Sequence, residues 1–160
     1  MNTGQNNGLF EMVFESHVIG IPEGIQFKES IKEFILKHWG AEFLSKNFDD
    51  LFDQISLGKR LVIIKLLINS NTPQIVKRIK KEGLILGNSL ALTFAMLSVK
   101  DNLPKGFYIR SLDEMENLPH VFGTDRKIPS MFITEERDVF DFCYFKKGFL
   151  KGRYFIILSD

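Results

Sequence analysis

Three groups of side chains in this chain of 160 residues have types and spacings that chemistry can use. The first is basic. Lys77, Arg78, Lys80 and Lys81 fall within five consecutive positions of TPQIVKRIKKEG. Cations this close together suit an anionic surface. On nucleic acid they touch phosphates and read no bases; on an acidic protein face they mainly speed encounter. Helical spacing puts Lys77, Lys80 and Lys81 on one side with Arg78 further round, opposite an apolar face of Ile75, Val76 and Ile79. The plainer reading is a solvated face neutralised by acids elsewhere in the chain.

The second group surrounds a serine. LILGNSLAL holds Gly87-Asn88-Ser89-Leu90-Ala91 after a short apolar run and before a helix, one residue away from the Gly-x-Ser-x-Gly elbow of hydrolases. A base would be His120, and an acid Asp125 or Asp138. Hydrolases with that elbow carry their triad on a broad parallel sheet, and only a three-residue strand fits before this turn. Ser89 as a plain helix N-cap explains the same residues.

The third group is acidic. Glu135, Glu136, Asp138 and Asp141 sit before and within ITEERDVFDFCYF. Clustered carboxylates can hold a divalent ion or do acid-base work. On a strand, a solvated edge that deters pairing between molecules explains them equally. His17, His38 and His120 share no metal-ligand spacing. Cys143, between Phe142 and Tyr144, reads as buried and inert. No catalytic residue, cofactor or metal is assigned from these patterns.

The basic and serine groups lie on one stretch, Thr72–Leu97, that reads as a helix, a break and a second helix. The layout resembles a DNA-reading helix-turn-helix. Lys146, Lys147, Lys151 and Arg153 near the C-terminus could then form a wing. A recognition helix, however, must show polar side chains to base edges. From Leu90 to Val99 only Thr93 and Ser98 are polar. That segment, capped by Asn88 or Ser89, is therefore expected to be a central buried helix.

Other elements must position these groups. MNTGQNNG, residues 1–8, reads as a loose tail, and residues 9–160 as one domain. LFEMVFESHVIGI fits a strand or a short helix. QFKESIKEFILKHWG has Phe27, Ile31, Phe34, Ile35 and His38 on one helical face, with Gly40 as a stop. NFDDLFDQISLG gives a helix with Asn47 as cap, a stripe of Phe48, Leu51, Phe52 and Ile55, and Gly58 at its end. KRLVIIKLLINSN is apolar at seven of the nine positions 60–68, so both strand and helix fit. Helix is preferred because Lys59, Arg60 and Lys65 can share a side. Thr72 as cap, Pro73 and Gly83 bracket the basic helix. Beyond NLPKG, FYIRS is a strand and SLDEMENLP a helix with a Ser111–Glu114 capping box. GTDRKIPS is a loop. MFIT, DVFDFCYF and GRYFIILSD are strands, with Gly148 and Gly152 as turn positions before the last. The sum is an α+β domain whose α-rich N-terminal two thirds pack on a C-terminal, mainly antiparallel sheet.

Composition narrows the function classes. Sixteen Phe against three Tyr and one Trp imply a core of large rings without polar handles. A single cysteine leaves no intramolecular disulfide, and no apolar run reaches membrane-spanning length. No basic segment with an apolar stretch behind it marks a secretory leader. The expected setting is cytoplasmic. Charge is segregated: residues 1–58 carry −5, residues 59–106 carry +7 and residues 107–160 carry −1. The middle third is thus the candidate anion-binding face. The expected function is a non-enzymatic module that binds another protein with an acidic surface, for which an inhibitor or immunity-type protein is one concrete form. A nucleic-acid binder using segment 77–81 is the first alternative, and a small enzyme using the 135–141 cluster the second.

Overall fold

A computed structural model of the chain describes residues 8–18, 24–44, 48–56, 58–113, 126–145, 149 and 151–160. Expectations placed on residues 1–7, Asn47, the Ser111–Glu114 capping box, Lys146, Lys147 and Gly148, and on the side chains of Phe27, Leu51 and Ile55, lie outside the described residues.

The chain runs β1 (Phe10–Val18), α1 (Gly24–His38), α2 (Phe48–Ser56), β2 (Arg60–Leu66), α3 (Thr72–Lys81), β3 (Ile85–Leu86), α4 (Ser89–Val99), β4 (Tyr108–Arg110), β5 (Arg126–Ile133), β6 (Asp138–Phe145) and β7 (Tyr154–Ser159). The strands form one sheet in the order β1-β2-β7-β4-β5-β6, and β3 also pairs with β7. β4 runs parallel to β7; the other pairings are antiparallel. Helices cover both faces. α1, α2 and α4 pack with Leu61, Ile63, Ile156 and Leu158 on one side. α3 packs with Val62, Ile64, Leu66, Phe155 and Ile157 on the other.

This corrects the expected architecture. The chain is a mixed α+β arrangement, not an α-rich N-terminal part laid on a C-terminal sheet. β1 and β2 come from the first half of the chain and pair with each other, and β2 lies beside the C-terminal β7. Arg60–Leu66, expected as a helix, is the strand β2. Successive strand residues point to opposite faces. Leu61 and Ile63 enter one core while Val62, Ile64 and Leu66 enter the other. A strand buried on both faces is apolar at almost every position, so its alternation disappears from the sequence. Each of these five side chains stabilises the fold by about 1.5–3 kcal/mol relative to exposure.

The same two-sided sheet settles the other ambiguities. Phe10–Val18 is an edge strand. Met12 pairs with Ile64 and Phe14 with Ile63, which leaves Val13 as an extra, bulged residue. The bulge flips the pattern, so Phe10 packs on the α3 side and Phe14 on the other, hence the unclear period. Arg126–Ser130, expected as loop, is the first part of β5. Pro129 disguised it, since proline rarely sits within a paired strand. Consecutive β6 and β7 are not neighbours: β7 is central and β6 is an edge. α4 is buried along nearly its whole length, as its apolar circumference predicts. Among the described residues no helix is long and apolar enough to cross a membrane.

Candidate functional site

α3 carries the basic group, and its ends are well defined. Asn71, not Thr72, is the N-cap. Its Oδ1 accepts the Gln74 N–H at 2.9 Å, and Gln74 Oε1 accepts the Asn71 N–H at 3.1 Å. Thr72 is instead buried, with its hydroxyl unpartnered. At the far end the Leu84 N–H reaches the Ile79 carbonyl and the Gly83 N–H the Lys80 carbonyl. That double closure needs a left-handed residue, and Gly83 supplies φ 74°. Thr72, Ile75 and Ile79 face the sheet. The opposite side carries charge, and Arg78, Lys80 and Lys81 also lie in the last turn, where cations favour the helix dipole.

The structure regroups the basic residues. Lys77, Arg78 and Lys81 line an open cleft of about 510 Å³ together with Gln74, Gly8 and Leu9 ahead of β1, and Ile68, Asn69 and Ser70 after β2. Lys80 is exposed and does not line it. At 100° per residue, Gln74, Lys77, Arg78 and Lys81 share an arc of about 100°, whereas Lys80 falls about 60° outside it, beyond Lys77. The expected grouping of Lys77, Lys80 and Lys81 with Arg78 apart is therefore corrected: the cleft opens on the side of Arg78, and Lys80 lies away from it.

The loop half of the cleft is held by the segment before β7. Ser70 and Phe149 exchange backbone hydrogen bonds of 3.0 and 2.8 Å, and the Gly152 N–H meets the Leu66 carbonyl at 2.7 Å. The Lys151 N–H donates to Asn69 Oδ1 at 2.9 Å. Both amide side chains of the cleft thus spend their oxygens on backbone N–H groups. Their NH₂ groups remain as donors. With Lys77, Arg78 and Lys81, the polar lining is rich in donors, and none of the lining residues is acidic. Ile68 adds an apolar surface that is 52% exposed. Leu9, Ile68, Asn69 and Ser70 carried no functional signal in the sequence, and tertiary contacts alone join them to α3; Gln74 belongs to α3 itself and reaches the cleft by helical spacing.

The serine reading is not supported by the geometry. Ser89 is 4% exposed, and its hydroxyl donates to the Phe43 carbonyl at 2.8 Å. It is not the cap either. Asn88 Oδ1 accepts from the Leu90 and Ala91 N–H groups at 3.0 and 3.4 Å. Asp138 is ion-paired with Lys100 at 2.5 Å, and His120 and Asp125 lie outside the described residues.

The acidic group is spread along the sheet edge. Glu135 pairs with Lys105 at 3.3 Å. Asp141 Oδ1 accepts the Phe142 N–H at 2.8 Å, occupying a backbone donor of an edge strand. Among the described residues no three His, Cys, Asp or Glu side chains converge as metal ligands. His38 packs against Phe140 and Phe34 with ring centroids 4.2 and 4.4 Å apart. Burial, helped by Lys37, lowers its pKa from the ordinary value. Cys143 is half-buried against the α3-side core. Burial also lowers the neighbouring Arg110 guanidinium from its usual value, an effect that Cys143 opposes.

Comparison with protein-family models, with curated proteins and with solved structures finds no match.

Proposed function

We propose that this chain is a non-enzymatic binding module that engages another protein with an acidic surface through the exposed face of α3. The observation that carries the reading is the cleft, where Lys77, Arg78 and Lys81 stand beside Leu9 and Ile68 and no acidic residue lines the wall. Segregation of charge supports it, since the +7 segment of the sequence contains this helix. An inhibitor or immunity-type protein is one concrete form of such a module. The single cysteine fits a reducing, cytoplasmic setting.

The test is affinity capture from the native cell followed by binding kinetics on the captured species. Wild type is compared with Lys77→Gln/Arg78→Gln/Lys81→Gln. An acidic protein should be captured, and the triple variant should slow its association about tenfold or more, with the effect shrinking as salt rises. Capture of nucleic acid alone overturns the reading. In that case affinity falls by about 0.9 log units per log unit of salt for each phosphate neutralised on duplex DNA, and the triple variant removes up to about three such units.

A further inference from the structure

We infer that the α3 cleft is a carboxylate pocket: it seats an acidic side chain of the partner polypeptide with an apolar neighbour of that side chain against Ile68. This rests on the binding reading above and names the chemistry the cleft selects. Hydrogen-bond polarity decides what the cleft can hold. Asn69 and Gln74 each have an oxygen already bonded to a backbone N–H, at 2.9 and 3.1 Å, which leaves the NH₂ of each amide as a donor. Lys77, Arg78 and Lys81 offer donors alone, because lysine and arginine have no acceptor. Donors outnumber acceptors among these five side chains, so a group seated there gains by accepting hydrogen bonds, and gains most if it is anionic, since charge-assisted bonds are roughly twice as strong as neutral ones.

The apolar part of the wall selects among anions. Leu9 is partly buried and Ile68 is 52% exposed, so a ligand covering Ile68 removes a large aliphatic side chain from water. A free phosphate has no group for that surface, and a nucleic-acid backbone flanks its phosphates with sugars. A polypeptide alternating acidic and aliphatic residues presents both features at once. The cleft volume, about 510 Å³, accommodates two or three side chains. Residues 1–7 of this chain, which precede Gly8 in the wall, contain no acidic residue and so do not complement it.

The experiment uses the full ¹⁵N-labelled chain and four probes: a short end-capped peptide alternating Glu and Leu, its Gln-for-Glu counterpart, inorganic phosphate, and a short DNA duplex. The Glu peptide should shift the side-chain NH₂ signals of Asn69 and Gln74 and the backbone signals of Gly8 and Leu9. The Gln peptide should bind about tenfold more weakly or worse. Ile68→Ser, an exposed substitution, should weaken the Glu peptide and leave any phosphate effect unchanged. If phosphate shifts the amides as strongly as the peptide and Ile68→Ser changes nothing, the cleft is a small-anion site and the inference fails. If the duplex binds more tightly than the Glu peptide, both the inference and the protein-binding reading fail. If no probe moves the Asn69 and Gln74 signals while a captured protein partner still depends on Lys77, Arg78 and Lys81, the pocket is refuted and the binding reading stands. If the Glu peptide seats as described and no acidic protein is captured, the pocket stands and the reading fails.

Discussion

Gly87 offers a sharp test of the packing that positions α4. It follows β3 and immediately precedes Asn88, the cap of α4, and its carbonyl accepts the Leu112 N–H. A Cβ added there would lie 2.2 Å from the carbonyl oxygen of Ile156 and 2.7 Å from its carbon. An ordinary contact needs about 3.5 Å, so one side must move by roughly 1 Å. Neither side is free to move. Ile156 lies in β7, which pairs with β2 along its length, and with β3 and β4. Moving Gly87 disturbs the N-cap of a buried helix. Overpacking typically costs about 1–3 kcal/mol, and these constraints put Gly87→Ala near the top, about 3 kcal/mol. At about 2–4 °C per kcal/mol for a chain of this size, the melting temperature should fall by about 6–12 °C. The assay is urea and thermal denaturation followed by circular dichroism. Gly83→Ala is the control. Its added Cβ meets nothing within 4 Å, but the residue has φ 74°, so its cost is backbone strain alone, about 1–2 kcal/mol. A loss at Gly87→Ala below about 1 kcal/mol, or one no larger than at Gly83→Ala, refutes the close approach of Gly87 to β7.

Ser89→Ala should cost about 1–3 kcal/mol in denaturant melts, because it orphans the buried Phe43 carbonyl. Ser89→Asp should cost more, since a carboxylate cannot donate there; a tolerated Asp would return the cap role to Ser89. His38 makes stability depend on pH. Its folded pKa lies below the ordinary 6.5, so above that value the imidazole is neutral in both states. As pH falls through the ordinary value toward the lowered one, the unfolded chain binds more protons and stability is lost. His38→Phe keeps the ring against Phe34 and Phe140, and should reduce the loss between about pH 7.5 and pH 5 seen in urea midpoints. Identical pH profiles for the two proteins would exclude this role.

Much of the fold was legible where one face of an element is wet. α1 shows its stripe at Ile31, Phe34, Ile35 and His38, and α3 its proline near the start and its glycine stop, though not its cap, because contrast between a buried and a solvated side writes a period into the sequence. α4 was legible for the opposite reason: a helix apolar all round has no place but the core. β4, β6 and β7 announced themselves through β-branched and aromatic residues. Architecture was not legible, because it turned on β2. With both faces buried, Arg60–Leu66 has no period to read, and assigning it to helix took the central layer of the sheet out of the picture. β1 was obscured by its bulge at Val13, and the start of β5 by Pro129.

The candidate site divides along the same line. The sequence by itself determined that Lys77, Arg78, Lys80 and Lys81 crowd one solvated helix, since that needs only local spacing and the apolar positions Ile75 and Ile79. Only the tertiary structure decided which of them act together. The cleft exists because β1 pairs with β2, bringing Leu9 beside the loop of Ile68 and Asn69, and because the segment through Lys151 ties that loop down. The Lys151–Asn69 contact alone joins residues 82 positions apart. Such pairings follow from the burial of a shared sheet, which no local pattern of residue types encodes.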